Sequence, residues 1–486
     1  MSGARRFALA WAAALAAVWL LRPPLTPDEL RYLSVAWEMH DGNAWLVPLL
    51  NGENYAHKPP LMFWLWRIAW LPFGPSLLAS RVLQAVAALL VIGLTARLAR
   101  AVAPETPRLP GVAALVLAGS FAVQVYSGFL AFDLWLSVGV LIAWLGLVRA
   151  VPPPGGAEPA PLSGWSWFAL GLGAALLTKG PAALLAILPP ALLHPWWSGA
   201  RERASARWLG LAAASLAGSA IALAWALPAA SAGGAEYGSA ILWGQTVGRV
   251  HDSFAHAQPF WFYLPVLPAM LMPWIVWPRV WRRDSATAPR ALSRFALAAV
   301  IPGLIAFSAI SGKQPHYLLP LLPAAALLIA ARLLRDARTP PARIARWALA
   351  APLLALFSNL GFSLGWGTRW TLQPAAVAVA SAQQEGREVA LFGMAYHGQF
   401  HFLGRLRAPI ADPPGAIGMR NWLRDHPEGL VAVVESRDGT EAQAASEQPV
   451  FEFGTRRLRL WRAADLAALG FPPKTQTAGS AEPAVR

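Results

Sequence analysis

The feature that most constrains this chain is the recurrence of apolar runs about as long as a bilayer is thick. Spanning the hydrocarbon core takes roughly 20 consecutive apolar residues in a helix. Such runs recur from Phe7 to about Gly365. Only 13% of the 486 residues are charged and 56% are hydrophobic, against about 25% charged in an average soluble domain. A single large soluble core does not fit that balance. The expected spans lie near residues 7–22, 80–99, 109–129, 132–149, 165–179, 181–197, 208–230, 260–281, 292–311, 315–333 and 345–364. The first run is followed by Arg22-Pro23-Pro24 and then acidic residues, not by a small-residue cleavage site, so it reads as a retained helix. With no cysteine in the chain, neither disulfides nor thiolate metal sites can form.

The net charge of +15 raises the possibility of nucleic-acid binding. The placement of the charge argues against it. Arginines cluster at Arg5 and Arg6; Arg97, Arg100 and Arg108; Arg201, Arg203 and Arg207; Arg279, Arg282 and Arg283; and from Arg332 to Arg346. These clusters occupy every second loop, the pattern of cytoplasmic loops in a membrane protein. The expected architecture is therefore a mainly α polytopic membrane protein of about eleven spans, with a cytoplasmic N-terminus. The Pro/Gly-rich stretch 151–164 reads as a cytoplasmic linker. Residues 1–365 form the transmembrane domain, with a long first extracytoplasmic loop at 23–75. Residues 366–486 form a small periplasmic α/β domain, with strand-like runs at Val389–Phe392, Leu430–Val434 and Arg457–Trp461 and a disordered tail from about Pro472.

The loops between arginine clusters carry the candidate chemistry. The first contains Asp28, Glu29, Arg31, Glu38, Asp41, Glu53, His57 and Lys58. Asp28 and Glu29 are candidates for a general base or a metal ligand at a lipid headgroup. Thr26-Pro27-Asp28-Glu29 equally suits a helix start, in which both carboxylates serve as caps. Asp133, at the start of an apolar run, is an ionisable group at a span end. It is either functional or a helix cap.

Lysine usage narrows the field. There are four lysines against thirty-six arginines, and Lys58, Lys179 and Lys313 each sit beside proline or glycine at an expected extracytoplasmic span end. A compact ammonium on a flexible stem suits a phosphate at the water–lipid boundary, and it equally suits snorkelling to the interface. A later loop adds Glu236, Gln245, Arg249, His251, Asp252, His256 and Gln258. His251 and His256 are five apart, poor spacing for one helical face and a weak metal signal.

Three motifs in series then resemble a known family: Asp28-Glu29-Leu30-Arg31-Tyr32, Trp45-Leu46-Val47-Pro48-Leu49-Leu50-Asn51-Gly52 and Tyr55-Ala56-His57-Lys58-Pro59-Pro60-Leu61. They are similar to the first periplasmic loop of bacterial aminoarabinose transferases of lipid A. That family is related to protein O-mannosyltransferases within the glycosyltransferase C superfamily. Leu177-Thr178-Lys179-Gly180-Pro181, Phe260–Pro273 and Ser311-Gly312-Lys313-Gln314-Pro315-His316-Tyr317 follow in the same order. The resemblance spans roughly residues 5–335.

What the resemblance implies is a GT-C type glycosyltransferase. It would use a polyprenyl (undecaprenyl) phosphate sugar outside the cytoplasm, with lipid A or another envelope glycan or protein as acceptor. Asp28 takes the catalytic aspartate position, and Glu29 and Asp133 match acidic positions. Lys58, Arg249, Tyr317 and Lys313 are the candidates for holding the donor phosphate. Tyr55, Lys179 and His316 are further substrate-binding candidates. One departure stands out: the family has Glu before Lys-Pro-Pro, where a divalent metal can be held, and this chain has His57. Either His57 is a plain hydrogen-bonding residue, or a zinc-like site is rebuilt on His57, His251 and His256. Rival readings are a protein O-glycosyltransferase, an O-antigen ligase or polymerase, a lipid-linked glycan transporter or flippase, and a membrane scaffold. A transporter should carry ionisable groups near the midplane of several spans.

Overall fold

A computed structural model describes residues 3–199, 204–248, 258–282, 289–335, 340–436 and 449–472. Its contacts divide the chain into two units. One comprises Met1–Leu20 with Ala56–Asn359, and the other Leu21–Tyr55 with Leu360–Arg486.

The first unit is helical. Among the described residues, seven helices are long and apolar enough to span a membrane: Leu77–Val102, Asp133–Ala150, Pro161–Leu192, Ala204–Gly244, Arg290–Ala309, Pro315–Leu334 and Pro341–Gly365. Leu109–Ala118 and Phe121–Gly128, bent by 61° at Gly119, make up to an eighth. The chain is a multi-pass membrane protein, but the expected count of eleven is not reproduced. Local breaks account for part of the difference. The runs expected at 165–179 and 181–197 are one interrupted span, broken where Gly180 adopts φ +66° before Pro181. The run expected at 260–281 is a short helix, Phe260–Met270, followed by single turns at Trp274–Val276 and Pro278–Trp281. The breaks fall at Pro273 and Pro278, each of which removes a backbone donor. The first helix, Gly3–Leu21, forms as expected but is not among the seven.

Asp133–Ala150 is the most enclosed of these spans together with Pro315–Leu334, with 78% of its apolar window buried. It packs against Pro161–Lys179 through glycines. A Cβ added at Gly164 would lie 2.5 Å from the Ala150 nitrogen. Gly146 and Gly171 face backbone atoms of Phe168 and Ala143 just as closely. In a lipid medium helices gain little from excluding water, so association rests on close van der Waals contact, which small residues permit. The linker between these helices is Val151–Ala160, shorter than expected because the helix already begins at Pro161.

The second unit is α/β. Strands β3 (Val389–Phe392), β4 (Leu430–Ser436), β5 (Val450–Phe453) and β6 (Arg456–Arg462) form one sheet in the order β3-β4-β6-β5. β3 and β4 run parallel, and the other pairings are antiparallel. The three strand-like runs of the sequence fall on β3, β4 and β6. The short β5 carried no comparable signal. A two-stranded hairpin, β1 (Leu49–Leu50) with β2 (Glu53–Asn54), turns at Asn51 and Gly52, both at positive φ. Asn-Gly suits such a turn because neither residue is strongly penalised there.

The helix Asp28–Asp41 packs inside this unit. Leu30 joins a core with Leu372, Val379, Leu391, Leu430 and Leu458. Trp37 donates to the Leu406 carbonyl at 2.8 Å, and Ser34 to that of Gly398 at 2.6 Å. The sequence reading placed all of 23–75 with the spans and a boundary at 365. The contacts instead group residues 21–55 with 360–486, because apolar and hydrogen-bonding groups of the early helix find partners some 370 residues later.

The glycine contacts yield a stability expectation. Gly146→Val or Gly171→Val forces apart two backbones that cannot yield, with an overpacking cost of about 3 kcal/mol or more. Gly93→Ala, with open space around it, is expected to be neutral. Thermal unfolding of detergent-purified variants distinguishes the two. Equal melting temperatures for Gly146→Val and the parent would refute the close approach.

Candidate functional site

In the second unit, the helix Asp28–Asp41 begins at the two acidic residues. The N-cap position is Pro27, so the two carboxylates lie in the first turn of the helix. Glu29 is fully buried. Its two oxygens accept from the two terminal nitrogens of Arg22, each at 2.9 Å, and one also accepts the Leu25 N–H at 2.8 Å. This bidentate pair closes the chain between the first helix and the second. Asp28 pairs with Arg31 one turn on, and its side chain is 38% exposed. Of two adjacent carboxylates, one is therefore committed to structure and the other reaches solvent. Tyr55 is buried, its N–H donating to the Pro48 carbonyl at 2.8 Å.

The same unit holds a buried polar cluster that the sequence did not reveal. Glu38 accepts the N–H groups of Asn51 at 2.6 Å and Gly52 at 2.9 Å, fixing the tip of the hairpin. His401 Nε2 lies 3.8 Å from Glu38, and its Nδ1 meets the Tyr396 hydroxyl at 2.5 Å. No motif marks these residues, because their partners are up to 363 positions apart in the chain.

In the first unit, three separated motifs converge on Asp133. Asp133 opens the helix Asp133–Ala150, with its side chain 3% exposed. One oxygen forms an ion pair with Lys179, at the break before Gly180. The other faces His316 Nε2 at 3.8 Å. The Lys179 ammonium lies 4.1 Å from the centre of the Tyr317 ring, a cation–π contact. His316 stands edge-on to Tyr317 at 4.9 Å and to Tyr126 at 5.9 Å. Lys58 is half-buried, its ammonium 6.0 Å from the ring centre of Phe132, the residue before Asp133. Gln84 donates to the carbonyls of Tyr126 and Ala131, holding the entry to this helix in place. Tyr126, Phe132 and Gln84 were not read as site residues. A glutamine or an aromatic within an apolar run gives no signal until its neighbours are known.

Lys313 is placed differently. It is buried, and its ammonium donates to the carbonyls of Gln258 at 2.8 Å and Ser311 at 3.5 Å. That is the environment of a lysine that ties two loops together. His57 is half-buried. Arg249, His251, Asp252 and His256 lie outside the described residues. Among the described residues, no group of three or more His, Cys, Asp or Glu side chains could hold a metal ion.

No protein-family profile matches the chain. It is 30% identical over 314 residues to an undecaprenyl phosphate-alpha-4-amino-4-deoxy-L-arabinose arabinosyl transferase of Pseudomonas fluorescens, covering 62% of this chain and 52% of that protein. It is 31% identical over 319 residues to the transferase of the same description from Pseudomonas aeruginosa, covering 64% and 56%. The matched region thus spans about half the length of these curated relatives. The solved structure of ArnT from Cupriavidus metallidurans in the apo state matches with a TM-score of 0.71 at 18% identity, over 96% of this chain and 99% of that one. The same protein bound to undecaprenyl phosphate gives 0.70 at 18%, over 94% and 97%. An Archaeoglobus fulgidus oligosaccharyltransferase gives 0.55 at 15%, over 89% and 69%. The chain accordingly shares the polytopic fold of the Cupriavidus metallidurans ArnT structures. The family likeness read from the first-loop motifs is met again in the relatives the chain aligns with.

His401 supplies an acid-sensitivity expectation. Burial lowers its imidazole to about 4, while a histidine in an unfolded chain titrates near 6.5. Below pH 6.5 the unfolded chain takes up a proton that the folded one refuses. The folded form is therefore most stable above pH 6.5 and loses at most about 3 kcal/mol as pH falls towards 4. Glu38 works in the opposite direction. Burial raises its carboxyl against the two N–H donors that lower it, so its contribution declines as pH rises through its folded value. Protection of the amides of Asn51, Gly52 and Phe402, measured relative to their intrinsic exchange rates, is expected to fall between pH 6.5 and 4. In His401→Gln that fall should vanish. An unchanged profile in the variant would exonerate His401.

Proposed function

We propose that this protein is an integral membrane glycosyltransferase. It transfers a sugar from an undecaprenyl-phosphate donor to a lipid A-type acceptor on the periplasmic side of a bacterial inner membrane. The single observation that carries this reading is the convergence of Lys179, His316 and Tyr317 on Asp133, in a fold shared with membrane glycosyltransferases. The relatives' names add the donor class and suggest 4-amino-4-deoxy-L-arabinose as the sugar. In the proposed orientation the N-terminus and the arginine clusters are cytoplasmic, and the unit that contains the sheet is periplasmic.

The reaction breaks the bond between the sugar's anomeric carbon and the phosphate oxygen, and forms one from that carbon to an acceptor oxygen. The leaving group is undecaprenyl phosphate, on which negative charge grows. Lys58, with Arg249 and Tyr317, answers that charge, and a preplaced cation contributes most where water is excluded. Asp28 orients the acceptor and takes its proton where the acceptor is a hydroxyl, because it is the exposed member of the carboxylate pair. Glu29 holds Asp28 in place through Arg22. Asp133 is the anchor that sets Lys179 against the Tyr317 ring, and Lys313 braces its loop and leaves the phosphate to the others. The transporter reading is disfavoured by charge placement. In the described spans, acidic and basic side chains sit near helix ends or, for Lys179, at a break.

Asp28→Asn is expected to abolish transfer in membranes while the protein accumulates normally. Lys58→Ala should lower turnover about 100-fold or more. Full transfer by Asp28→Asn sinks the base assignment. Mass spectrometry of lipid A and of envelope glycoproteins, with and without the gene, decides the acceptor. A change confined to glycoproteins would move the proposal to protein O-glycosylation.

A second expectation concerns metals. The growing phosphate charge is met here by the chain's own cations, with His57 as a hydrogen-bonding residue. Transfer should therefore survive exhaustive chelation. Loss on chelation, rescue by zinc and further loss in His57→Ala would instead mark a rebuilt zinc site, with His251 and His256 as the next ligands to test.

A further inference from the structure

The helix Pro341–Ala348 continues with one intervening residue, Leu349, into Ala350–Gly365. Arg343, Arg346, Trp347, Ala350, Leu354 and Phe357 recur at spacings of three, four or one along it. They therefore share one face. That face is basic at its start and apolar afterwards. At the basic end, a cavity of about 440 Å³ opens between Arg343, Arg346, Trp347, Ala350 and Pro273. Among the described residues no acidic side chain lines it. Its aromatic wall is fixed: the Trp347 and Trp277 rings stack at 5.0 Å, only 1° from parallel, and Trp277 is buried. Beyond the cavity the stripe stays uncovered, with Leu354 54% and Phe357 66% exposed.

We infer that this face is a binding site for one anionic phospholipid, with its phosphate between Arg343 and Arg346 and its acyl chains along Leu354 and Phe357. Two guanidinium groups, with no carboxylate among the described lining residues, select a negative headgroup over a zwitterionic one. The exposed apolar continuation selects a lipid over a free anion, because an inorganic phosphate leaves Leu354 and Phe357 uncovered. Stacked indoles suit the level where headgroup meets hydrocarbon. The arginines belong to a cluster expected on the cytoplasmic side, which places the site away from the proposed chemistry. The inference is independent of the catalytic reading.

Native mass spectrometry of the full-length protein in detergent, titrated with phosphatidylglycerol or phosphatidylcholine, tests it. The parent is expected to retain one phosphatidylglycerol at least tenfold more tightly than phosphatidylcholine. Arg343→Gln with Arg346→Gln should weaken that retention about thirtyfold, the equivalent of roughly 1 kcal/mol per arginine. Arg97→Gln with Arg100→Gln removes the same charge from exposed positions outside the cavity and should leave retention unchanged. Equal retention of both lipids by the parent overturns the site, and so does an equal loss in the control pair. Competition by millimolar inorganic phosphate would show a free-anion site and overturn the lipid assignment. If the double variant does not accumulate, the headgroup preference of the parent decides.

Discussion

The buried ion pair between Asp133 and Lys179 is the contact on which the first unit's arrangement turns. It ties the start of one helix to the break in the next, and those two helices pack backbone to backbone through Gly146, Gly164 and Gly171. Removing one member of such a pair leaves an uncompensated buried charge, at a cost of about 3–5 kcal/mol. The pair also fixes the neighbours. Lys179 is held against the Tyr317 ring, and His316 faces the second carboxylate oxygen. One electrostatic contact therefore supports both helix packing and the constellation of polar side chains.

A second buried pair, Arg22 with Glu29, plays the matching part in the other unit. It satisfies a carboxylate that has no access to water and leaves its neighbour Asp28 at the surface. Further along the same helix, Glu38 meets two backbone N–H groups at the hairpin tip, and Ser34 and Trp37 meet carbonyls of the C-terminal segment. Glu29, Ser34, Trp37 and Glu38 are thereby matched on entering the interior, as burial without a partner is costly. The result is a catalytic candidate on a stiff, doubly anchored helix.

Some of this was legible in the chain. Apolar runs of bilayer length could only be helices, since lipid offers no partner for an unpaired backbone. The rarity of lysine singled out Lys58, Lys179 and Lys313. The strands β3, β4 and β6 could be read from β-branched and apolar runs. These features are local, so neighbouring residues suffice to express them. The segment after Phe260 has the mean apolarity of a full span, but its helix stops at Met270 and gives way to single turns at Pro273 and Pro278.

What only tertiary structure decided was which of several equivalent residues does what. Asp28 and Glu29 are adjacent and chemically alike, yet Glu29 is buried against Arg22 while Asp28 pairs with Arg31 and is 38% exposed. Lys179 and Lys313 have the same proline and glycine setting, yet one meets a carboxylate and an aromatic ring and the other two carbonyls. The grouping of residues 21–55 with 360–486 likewise follows from contacts between distant segments. Sequence sets the period and the local conformation through short-range sterics and hydrogen bonding. The charge state, exposure and role of a polar side chain depend on which remote groups the fold brings within a few ångströms, and no local pattern encodes that.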